Sequence, residues 1–269
     1  MVLIGSIAPE SALLFVPPNW FSKGFTIANY KYIFTGEIPQ GYVERGASRS
    51  MISQEALRIP RALLNSFAIA AGTMLINLIF GSMAAFAYAR LKFKGRNTSF
   101  LFVMLSRLIP IIALALPYYL IVQRLGLLDT YGALILIHSV LTLPFTILIL
   151  TVYFRTVPPD LEDQALTDGC SKFQMFVRVI IPLSLPSLVA AGLFSFMLSY
   201  SEFLFGLLIS GTIHSKPISV ILTSLSANPD VSMSLMNSSI IIAIIPSIIL
   251  AVIVWRFVIQ GLILGALKG

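Results

Sequence analysis

Charged side chains are scarce in this chain: Asp, Glu, Lys and Arg together make up 11% of its 269 residues. A soluble domain carries about 25% charged residues. Hydrophobic residues account for 57% of the chain, and the mean hydropathy is +0.92. So few charges could not cover a folded core with a hydrated surface. A soluble domain is therefore excluded, and the sequence predicts a protein embedded in lipid.

Residues that carry chemistry are also few. The single cysteine, Cys170, excludes an intrachain disulfide and a cysteine-based metal cluster. The two histidines are His138, within an apolar stretch, and His214, alone in a loop, so a metal site is not expected. No GxxxxGK[ST] phosphate loop occurs. We therefore predict a non-enzymatic chain that holds no cofactor of its own.

Five stretches are apolar over the roughly 20 residues that a helix needs to cross about 30 Å of hydrocarbon. They cover residues 62–89, 98–122, 130–154, 180–210 and 235–264. Because lipid offers no hydrogen bonds to the backbone, each is predicted to be a helix. Residues 1–6 are too short to span, and we interpret them as the end of a first helix that is missing from this chain.

The predicted organisation follows from these spans. Residues 1–60 hold the end of the first span and an extracytoplasmic segment. Residues 61–269 form a transmembrane core with a cytoplasmic loop at 155–180.

Basic residues cluster in alternate connections and orient the predicted helices. The connection after the first complete span reads "ARLKFKGRN", and the 155–180 loop and the C-terminal end add further arginines and lysines. The connections on the other side offer Arg124 and Lys216. Since lysine and arginine concentrate in cytoplasmic loops, the 155–180 loop and the C-terminus are predicted to be cytoplasmic. The net charge of +7 is thus interpreted as orientation in a membrane, and no nucleic acid partner is expected.

An acidic segment follows the third complete span. Pro158 and Pro159 are expected to end the preceding helix, and Asp160 to cap a new one. Glu162 and Asp163 would then lie in its first turn, where the positive end of the helix dipole favours carboxylates. The segment is predicted to be a short helix exposed outside the apolar stretches.

Two further signals end this short helix and begin another. Gly169 suits the left-handed position that follows a helix C-terminus. Ser171 and Gln174 have the spacing of a capping box. The physical pattern alone is that of an amphipathic connector.

The spacing in this segment resembles the cytoplasmic loop of ABC importer permeases. That loop carries Glu-Ala-Ala, three residues, Gly, nine residues and then Ile-x-Leu-Pro; the corresponding residues here are Asp163, Gln164, Ala165, Gly169 and the run "VIIP" ending at Pro182. The stretches "SRLIPIIALALPYYLIVQRLGLLDTYGALIL" and "SYSEFLFGLLIS" resemble the carbohydrate branch, which includes the smaller maltose-importer permease. In the second stretch Ser201 stands where Asn is usual.

This resemblance implies an all-α membrane protein of the type I ABC importer fold. It also implies a non-catalytic permease subunit for oligosaccharides in a bacterial inner membrane. The cytoplasmic helix would dock on a separate ATP-binding subunit, which would hold ATP and Mg. The residues expected to couple the two subunits are Asp160, Glu162, Asp163, Gln164, Ala165, Asp168 and Gly169. The other implied partners are a second permease, an extracytoplasmic solute-binding protein, the oligosaccharide and membrane lipid.

Ionisable residues inside a membrane span are costly and face a cavity or a partner. Arg107 lies about nine residues into its stretch, roughly 14 Å deep at 1.5 Å per residue. It either bonds carbonyls freed by Pro110 or by a neighbouring helix, or it faces the pore. Glu202 lies some twenty residues beyond Pro182, roughly 30 Å along a continuous helix, near the outer mouth. With Tyr200, Arg107 and Glu202 are candidate pore or substrate residues, whereas His138 is expected to be a hydrogen-bonded packing residue.

Small residues and prolines predict how the spans pack. Gly81, Ala85 and Ala89 follow one another at i,i+4 and would allow a close helix neighbour, either in this chain or in a partner permease. Prolines within the spans predict kinks around a cavity; they are Pro110, Pro117, Pro144, Pro186 and Pro246.

Arginines suggest an acidic substrate. Arg45, Arg49, Arg58 and Arg61 precede the first complete span, and Arg107 lies within the second. A guanidinium matches a carboxylate, and a positive cleft concentrates anions, so an acidic oligosaccharide of the alginate type is one hypothesis. Nearby glutamates offset part of this charge, and a neutral maltose-like oligosaccharide remains the alternative; they are Glu37, Glu44 and Glu55.

Other functional classes predict features of their own. A secondary transporter or channel would be expected to show carboxylate relays or duplicated halves within the membrane. An intramembrane enzyme would need a catalytic dyad or a metal cluster. An ABC permease for amino acids or ions would share the cytoplasmic loop, so these alternatives differ chiefly in the remaining spans.

Overall fold

The computed structural model describes residues 1–13, 24–38 and 53–266, and these form helices joined by turns, with no strand among them. The all-α prediction is confirmed. Arg45, Arg49 and Glu44, which entered the hypothesis about an acidic substrate, lie outside the described residues.

The α-helices follow in chain order and are numbered here from the N-terminus. They are α1 (Val2–Ile7), α2 (Glu10–Leu13), α3 (Ala28–Thr35), α4 (Ile59–Arg90), α5 (Arg96–Leu105), α6 (Ile111–Arg124), α7 (Tyr131–Phe154), α8 (Pro159–Thr167), α9 (Lys172–Met175), α10 (Ile181–Leu183), α11 (Leu185–Tyr200), α12 (Leu204–Ile209), α13 (Ile218–Ser226) and α14 (Met233–Ala266). Two 3-10 turns, Gln54–Arg58 and Ser106–Leu108, precede α4 and follow α5, and a π-helical segment, Phe176–Ile180, joins α9 to α10.

Three described helices are long and apolar enough to cross a membrane, by length and composition: Gln54–Arg90, Tyr131–Phe154 and Met233–Ile253. Two bent helix pairs raise the number to five if each pair is one span. The predicted apolar stretches are therefore helical, but two of them are not single helices.

The prediction of a single helix over 98–122 is wrong, whereas the kink predicted at Pro110 is confirmed. Arg96–Leu108 and Ile111–Arg124 meet at 96°. Ile109 is extended at the break (φ −69°, ψ 124°), and Pro110 caps α6. The cause is local, because the residue before a proline is pushed away from helical angles and the proline has no N–H to donate. Arg107 lies in the 3-10 turn beside this bend rather than along a straight span.

The predicted continuous helix over 180–210 is also wrong. Lys172–Leu183 and Leu185–Tyr200 meet at 82°, and α11 ends at Tyr200 before α12 begins. Pro186 lies in the first turn of α11, where its missing N–H costs little, so it begins a helix instead of kinking one. The predicted depth of Glu202, which assumed one continuous helix from Pro182, therefore does not apply.

Contacts within the chain define two compact units. One contains Met1–Ala68, Leu127–Tyr131 and Phe203–Ile248, and the other contains Ile69–Gly126, Gly132–Glu202 and Ile249–Gly269. The long helices α4 and α14 contribute residues to both. The sequence boundary between residues 60 and 61 stays a prediction.

In the first unit, Asp129 joins two connections. It adopts a left-handed backbone conformation (φ +59°). Its carboxylate accepts hydrogen bonds from the Thr212 N–H (3.1 Å), the Thr212 hydroxyl (2.6 Å) and the Ser215 hydroxyl (2.5 Å). Burial alone would raise the pKa of Asp129, but the hydrogen bonds from Ser215 and Thr212 outweigh it and lower this pKa below its usual value. Asp129 thus holds the 127–131 turn to the connection between α12 and α13.

A distant carboxylate caps the last helix in the same unit. Glu10 accepts hydrogen bonds from the N–H groups of Met233 (3.0 Å) and Ser234 (2.8 Å), the first residues of α14. An anion at a helix N-terminus satisfies free donors and opposes the positive end of the dipole. This cap secures the start of the longest described helix.

In the second unit, the small residues of α4 face α7 of the same chain. Gly81 is buried, and a Cβ built on it would lie 2.8 Å from Thr146 Cγ2. Ala85 and Ala89 are buried in an apolar cluster with Leu150 and Phe154 of α7. The partner of this face, left open by the sequence, is therefore an internal helix.

We predict that Gly81→Ala destabilises the protein by about 1–3 kcal/mol, because the added methyl overpacks against the buried, β-branched Thr146. Gly132→Ala is the matched control: Gly132 is helical, and a Cβ added to it would meet no atom within 4 Å. That substitution should be neutral or stabilise by up to about 1 kcal/mol. Thermal unfolding of the purified complex measures both, and equal midpoints for the two variants would contradict the close approach.

Candidate functional site

The short acidic helix α8 begins two residues earlier than predicted. Pro158 is the N-cap and Pro159 the first helical residue, so the prediction that Asp160 caps the helix is wrong. A proline at this position is favourable because the N–H that it lacks would have no partner inside the helix. Asp160 and Glu162 instead lie within the first turn, where the helix dipole stabilises their charge.

The end of α8 is determined by backbone geometry. Gly169 has φ +87°, as predicted for the residue after the helix. The Cys170 N–H donates to the Ala165 carbonyl (3.0 Å) and the Gly169 N–H to the Leu166 carbonyl (3.1 Å). This pair of hydrogen bonds is the Schellman motif, which needs a left-handed residue at this place. The left-handed backbone requires glycine here. Lack of space does not, because no other atom lies within 4 Å of the place that a Cβ would take.

The predicted capping box is confirmed. The Gln174 N–H donates to Ser171 Oγ (3.2 Å), and the Ser171 N–H donates to Gln174 Oε1 (2.8 Å). It begins α9 directly after the turn at Gly169. The path of the chain from α8 into the next helix is therefore determined by reciprocal local bonds.

The residues predicted to couple this segment to a partner divide into two sides. Most are exposed; they are Asp160, Asp163, Gln164, Asp168 and Gly169. Glu162 and Ala165 point inward, with the Glu162 side chain 13% exposed and Ala165 7% exposed. The exposed group forms an acidic face, and the inward pair holds α8 to the rest of the unit.

Arg90, the last residue of α4, is the inward partner of Glu162. Its Nε lies 2.6 Å from Glu162 Oε1, and its side chain is 15% exposed. Arg90 Nη2 also donates to the carbonyl of Val157, just before α8. Burial raises the pKa of Glu162, the Arg90 charge opposes this rise, and the neighbouring Asp163 adds to it. The sequence predicted Arg90 only as one of several orienting basic residues.

Aromatic packing completes the attachment of this segment. Phe176, in the π-helical stretch, lies 4.8 Å from Phe86 of α4 and 6.5 Å from Phe154 of α7, measured between ring centroids. Met175 and Ile180 join the same buried cluster. The segment from α8 to α10 therefore packs on both α4 and α7.

A second group of polar side chains lies between α4, α7 and α11. Asn77 is fully buried and donates to the hydroxyls of Thr142 (2.5 Å) and Ser195 (2.7 Å). The Ser199 hydroxyl donates to Thr73 Oγ1 (3.3 Å) and lies 2.7 Å from His138 Nδ1. The prediction that His138 is a hydrogen-bonded packing residue is confirmed. Asn77 was not predicted, although an amide within an apolar helix signals an internal partner.

The candidate pore residues Tyr200 and Glu202 lie at the end of α11. Glu202 Oε2 is 3.2 Å from His138 Nε2, a contact that the sequence did not predict. The Tyr200 ring is 6% exposed and stacks on Phe196, with centroids 5.9 Å apart. Glu202 is thus tied to α7, and Tyr200 is packed within its own unit.

Arg107 is held by α7. Its Nη1 donates to the Leu141 carbonyl, and the guanidinium carbon lies 4.6 Å from the Phe145 ring centroid. This contact supports the interpretation that Arg107 bonds a helix carbonyl. Its buried Nε makes no hydrogen bond within the described residues. The side chain as a whole is half-buried, so part of the guanidinium can still donate hydrogen bonds to another partner.

The chain resembles known proteins in sequence and in fold. The family model described as binding-protein-dependent transport system inner membrane component matches residues 77–263. The trehalose/maltose transport system permease protein of Thermococcus litoralis is 32% identical over 81% of this chain and 79% of its own length. The trehalose transport system permease protein of Mycobacterium tuberculosis is 31% identical over 91% of this chain and 82% of its own length.

A further relative and a solved structure extend the similarity to the whole chain. The sulfoquinovosyl glycerol transport system permease protein of Agrobacterium fabrum is 29% identical over 100% of this chain and 87% of its own length. A chain from the crystal structure of a bacterial ABC transporter involved in the import of the acidic polysaccharide alginate matches with a TM-score of 0.71. The two chains are 20% identical, and the alignment covers 95% of this chain and 88% of the other. This likeness shows a shared fold.

We predict that His138→Ala destabilises the protein by about 1–3 kcal/mol, because Ser199 and Glu202 both lose a buried polar neighbour. Ser139→Ala is the control: Ser139 is equally buried, and its hydroxyl has no hydrogen-bond partner within the described residues. Removing it should change stability by less than about 0.5 kcal/mol. Thermal unfolding of the complex reports both values, and similar losses for the two variants would count against the network.

Proposed function

Because the chain belongs to the family of binding-protein-dependent transport system inner membrane components, we propose that α8 couples ATP hydrolysis in a partner subunit to the opening of an oligosaccharide pathway. The observation that carries this proposal is an exposed acidic helix whose opposite side is anchored to two transmembrane helices.

Family membership and the carbohydrate relatives confirm the broad prediction. The chain is a non-catalytic, multi-pass permease subunit of a sugar ABC importer in an inner membrane. Its family works with an ATPase that hydrolyses ATP and with a solute-binding protein. The predicted importer fold is also confirmed. A secondary transporter, a channel and an intramembrane enzyme are no longer needed as alternatives.

The finer proposal concerns orientation and partners. We place α8, the turn at Gly169 and the C-terminus in the cytoplasm, where an ATP-binding subunit with ATP and Mg would meet the exposed face of α8. The positive-inside distribution of lysine and arginine supports this orientation. A second, different permease is proposed to complete the pathway, by resemblance to the carbohydrate branch.

The acidic face supports docking of α8 on a partner. Asp160 and Asp163 are exposed on a helix of nine residues that ends in a strict left-handed turn. The inward Ala165 and Glu162 keep this helix from rotating freely on the unit. A partner that displaces α8 would therefore also displace the transmembrane helices to which it is attached.

We predict that Gly169→Val uncouples ATP hydrolysis from uptake. A non-glycine residue in the left-handed region costs roughly 1–2 kcal/mol, and β-branching adds to this, so the turn after α8 should change its geometry. Gly126→Val is the matched control, because Gly126 also has a positive φ (67°) and open space around it but lies in another turn.

ATP hydrolysis and sugar uptake are measured together in proteoliposomes that contain the assembled complex. Gly169→Val should hydrolyse ATP with little uptake, whereas Gly126→Val should transport normally. Full uptake by an assembled Gly169→Val complex would rule out the role of this turn.

For the substrate, we propose an acidic oligosaccharide with Arg107 as a contact. Arg107 is half-buried, and its buried Nε has no hydrogen bond within the described residues. A guanidinium with free donors suits a carboxylate. Against this, Arg58 is paired with Glu55 at 2.7 Å, which reduces the basic charge near α4. The trehalose and maltose relatives favour a neutral oligosaccharide as the second candidate.

The two candidates differ in their response to Arg107→Gln. Uptake of matched uronate and neutral oligomers is measured with reconstituted complexes that carry Arg107 or glutamine. The acidic proposal predicts preferential uptake of uronates and a selective loss of that uptake in Arg107→Gln, by roughly tenfold if one charge-assisted bond is removed. Equal transport of neutral oligomers, or normal uronate uptake by the variant, would contradict the acidic proposal.

A further inference from the structure

We infer that Arg90 is the positioning residue through which a displacement of α8 reaches the transmembrane helix α4. This inference rests on the proposed coupling role of α8 and names the path that the motion takes. It assigns to Arg90 a mechanical role in transport.

The C-terminal end of α4 meets the first turn of α8. Arg90 is the last residue of α4, and Glu162 lies in the first turn of α8. The Arg90 Nε and Glu162 Oε1 atoms are 2.6 Å apart. The same guanidinium donates to the Val157 carbonyl in the connection that leads into α8. One side chain therefore contacts both the helix and its entry, so α8 cannot shift relative to α4 without breaking both contacts.

The Arg90–Glu162 ion pair is largely covered by protein, so its two charges resist separation. The two side chains are 15% and 13% exposed. A charge that is withdrawn from water and loses its partner is strongly disfavoured, whereas a solvent-exposed pair separates at little cost. The burial that raises the pKa of Glu162 is opposed by Arg90. The pair should therefore stay closed while α8 is displaced, and α4 should follow.

The apolar contacts of the same segment do not distinguish between helices. Phe176 touches Phe86 on α4 and Phe154 on α7. Apolar surfaces attract one another without a fixed direction, so this cluster holds the segment in place but can slide. The ion pair alone selects α4. Among the described contacts, it is the one that gives α8 a unique transmembrane partner.

The test uses the whole complex in proteoliposomes and measures sugar uptake per ATP hydrolysed. The variants are Arg90→Gln, Glu162→Gln and the charge swap Arg90→Glu with Glu162→Arg. The control is Lys31→Gln, which breaks the exposed Lys31–Glu37 pair outside this segment. Copurification of the ATPase and thermal unfolding of each complex report assembly and stability separately from coupling.

We expect uptake per ATP to fall about three- to thirtyfold in each single variant. ATP hydrolysis and copurification of the ATPase should persist. The charge swap should recover much of the loss, because it restores an ion pair between the same two helices. Lys31→Gln should leave the ratio unchanged. A loss of uptake per ATP at an unchanged unfolding temperature is a result that a merely structural role for either residue would not produce.

Three outcomes would overturn the inference. The first is normal uptake per ATP in both single variants while Gly169→Val is uncoupled, which would retain α8 as the coupling helix but remove Arg90 from its path. The second is a swap that assembles without recovering the ratio. The third is a loss of uptake fully explained by a lower unfolding temperature. If Gly169→Val also transports normally, the proposed function of α8 itself has failed.

Discussion

Backbone hydrogen bonding in lipid is the constraint on which this structure depends. A peptide group in hydrocarbon finds no water, so each apolar stretch must be helical or must find a protein partner where its helix is interrupted. Polar side chains within the helices obey the same rule: Thr142 donates to the His138 carbonyl (2.7 Å), and Ser239 donates to the Leu235 carbonyl (2.7 Å). Short hydroxyl side chains are thereby accommodated inside helices that are otherwise apolar.

The interruptions of the helices lie beside the functional candidates. Arg107 is in the 3-10 turn at the 96° bend between α5 and α6, and Glu202 follows the end of α11. The 82° bend at Ser184 comes shortly after the π-helical segment Phe176–Ile180. Pro110 explains the first of these bends, since a proline has no N–H to donate and restricts the residue before it. Irregular backbone is tolerated in a membrane protein where it is buried in protein, and Arg107 links the bend to α7 through the Leu141 carbonyl.

The segment from α8 to α10 shows how local and distant forces combine. Its helix ends are set by glycine and by a capping box, which act over three to five residues. Its position on the unit is set by the buried aromatic cluster and by the Arg90–Glu162 contact. The first set of forces shapes a helix that a partner could bind, and the second connects that helix to the membrane. Either one without the other would leave α8 as a plain connector.

The sequence by itself determined the lipid surroundings, the helical stretches, the left-handed Gly169 and the Ser171 capping box. These follow from composition and from bonds between residues close in the chain, which physical rules describe well. Only the tertiary structure decided that the 98–122 and 180–210 stretches are broken, because an apolar run has the same composition whether its helix is straight or bent. Only the structure, likewise, paired Arg90 with Glu162 and placed His138 beside Ser199, 61 residues away. Such pairs depend on how separate helices pack, and no periodicity within one helix encodes the identity of its neighbour.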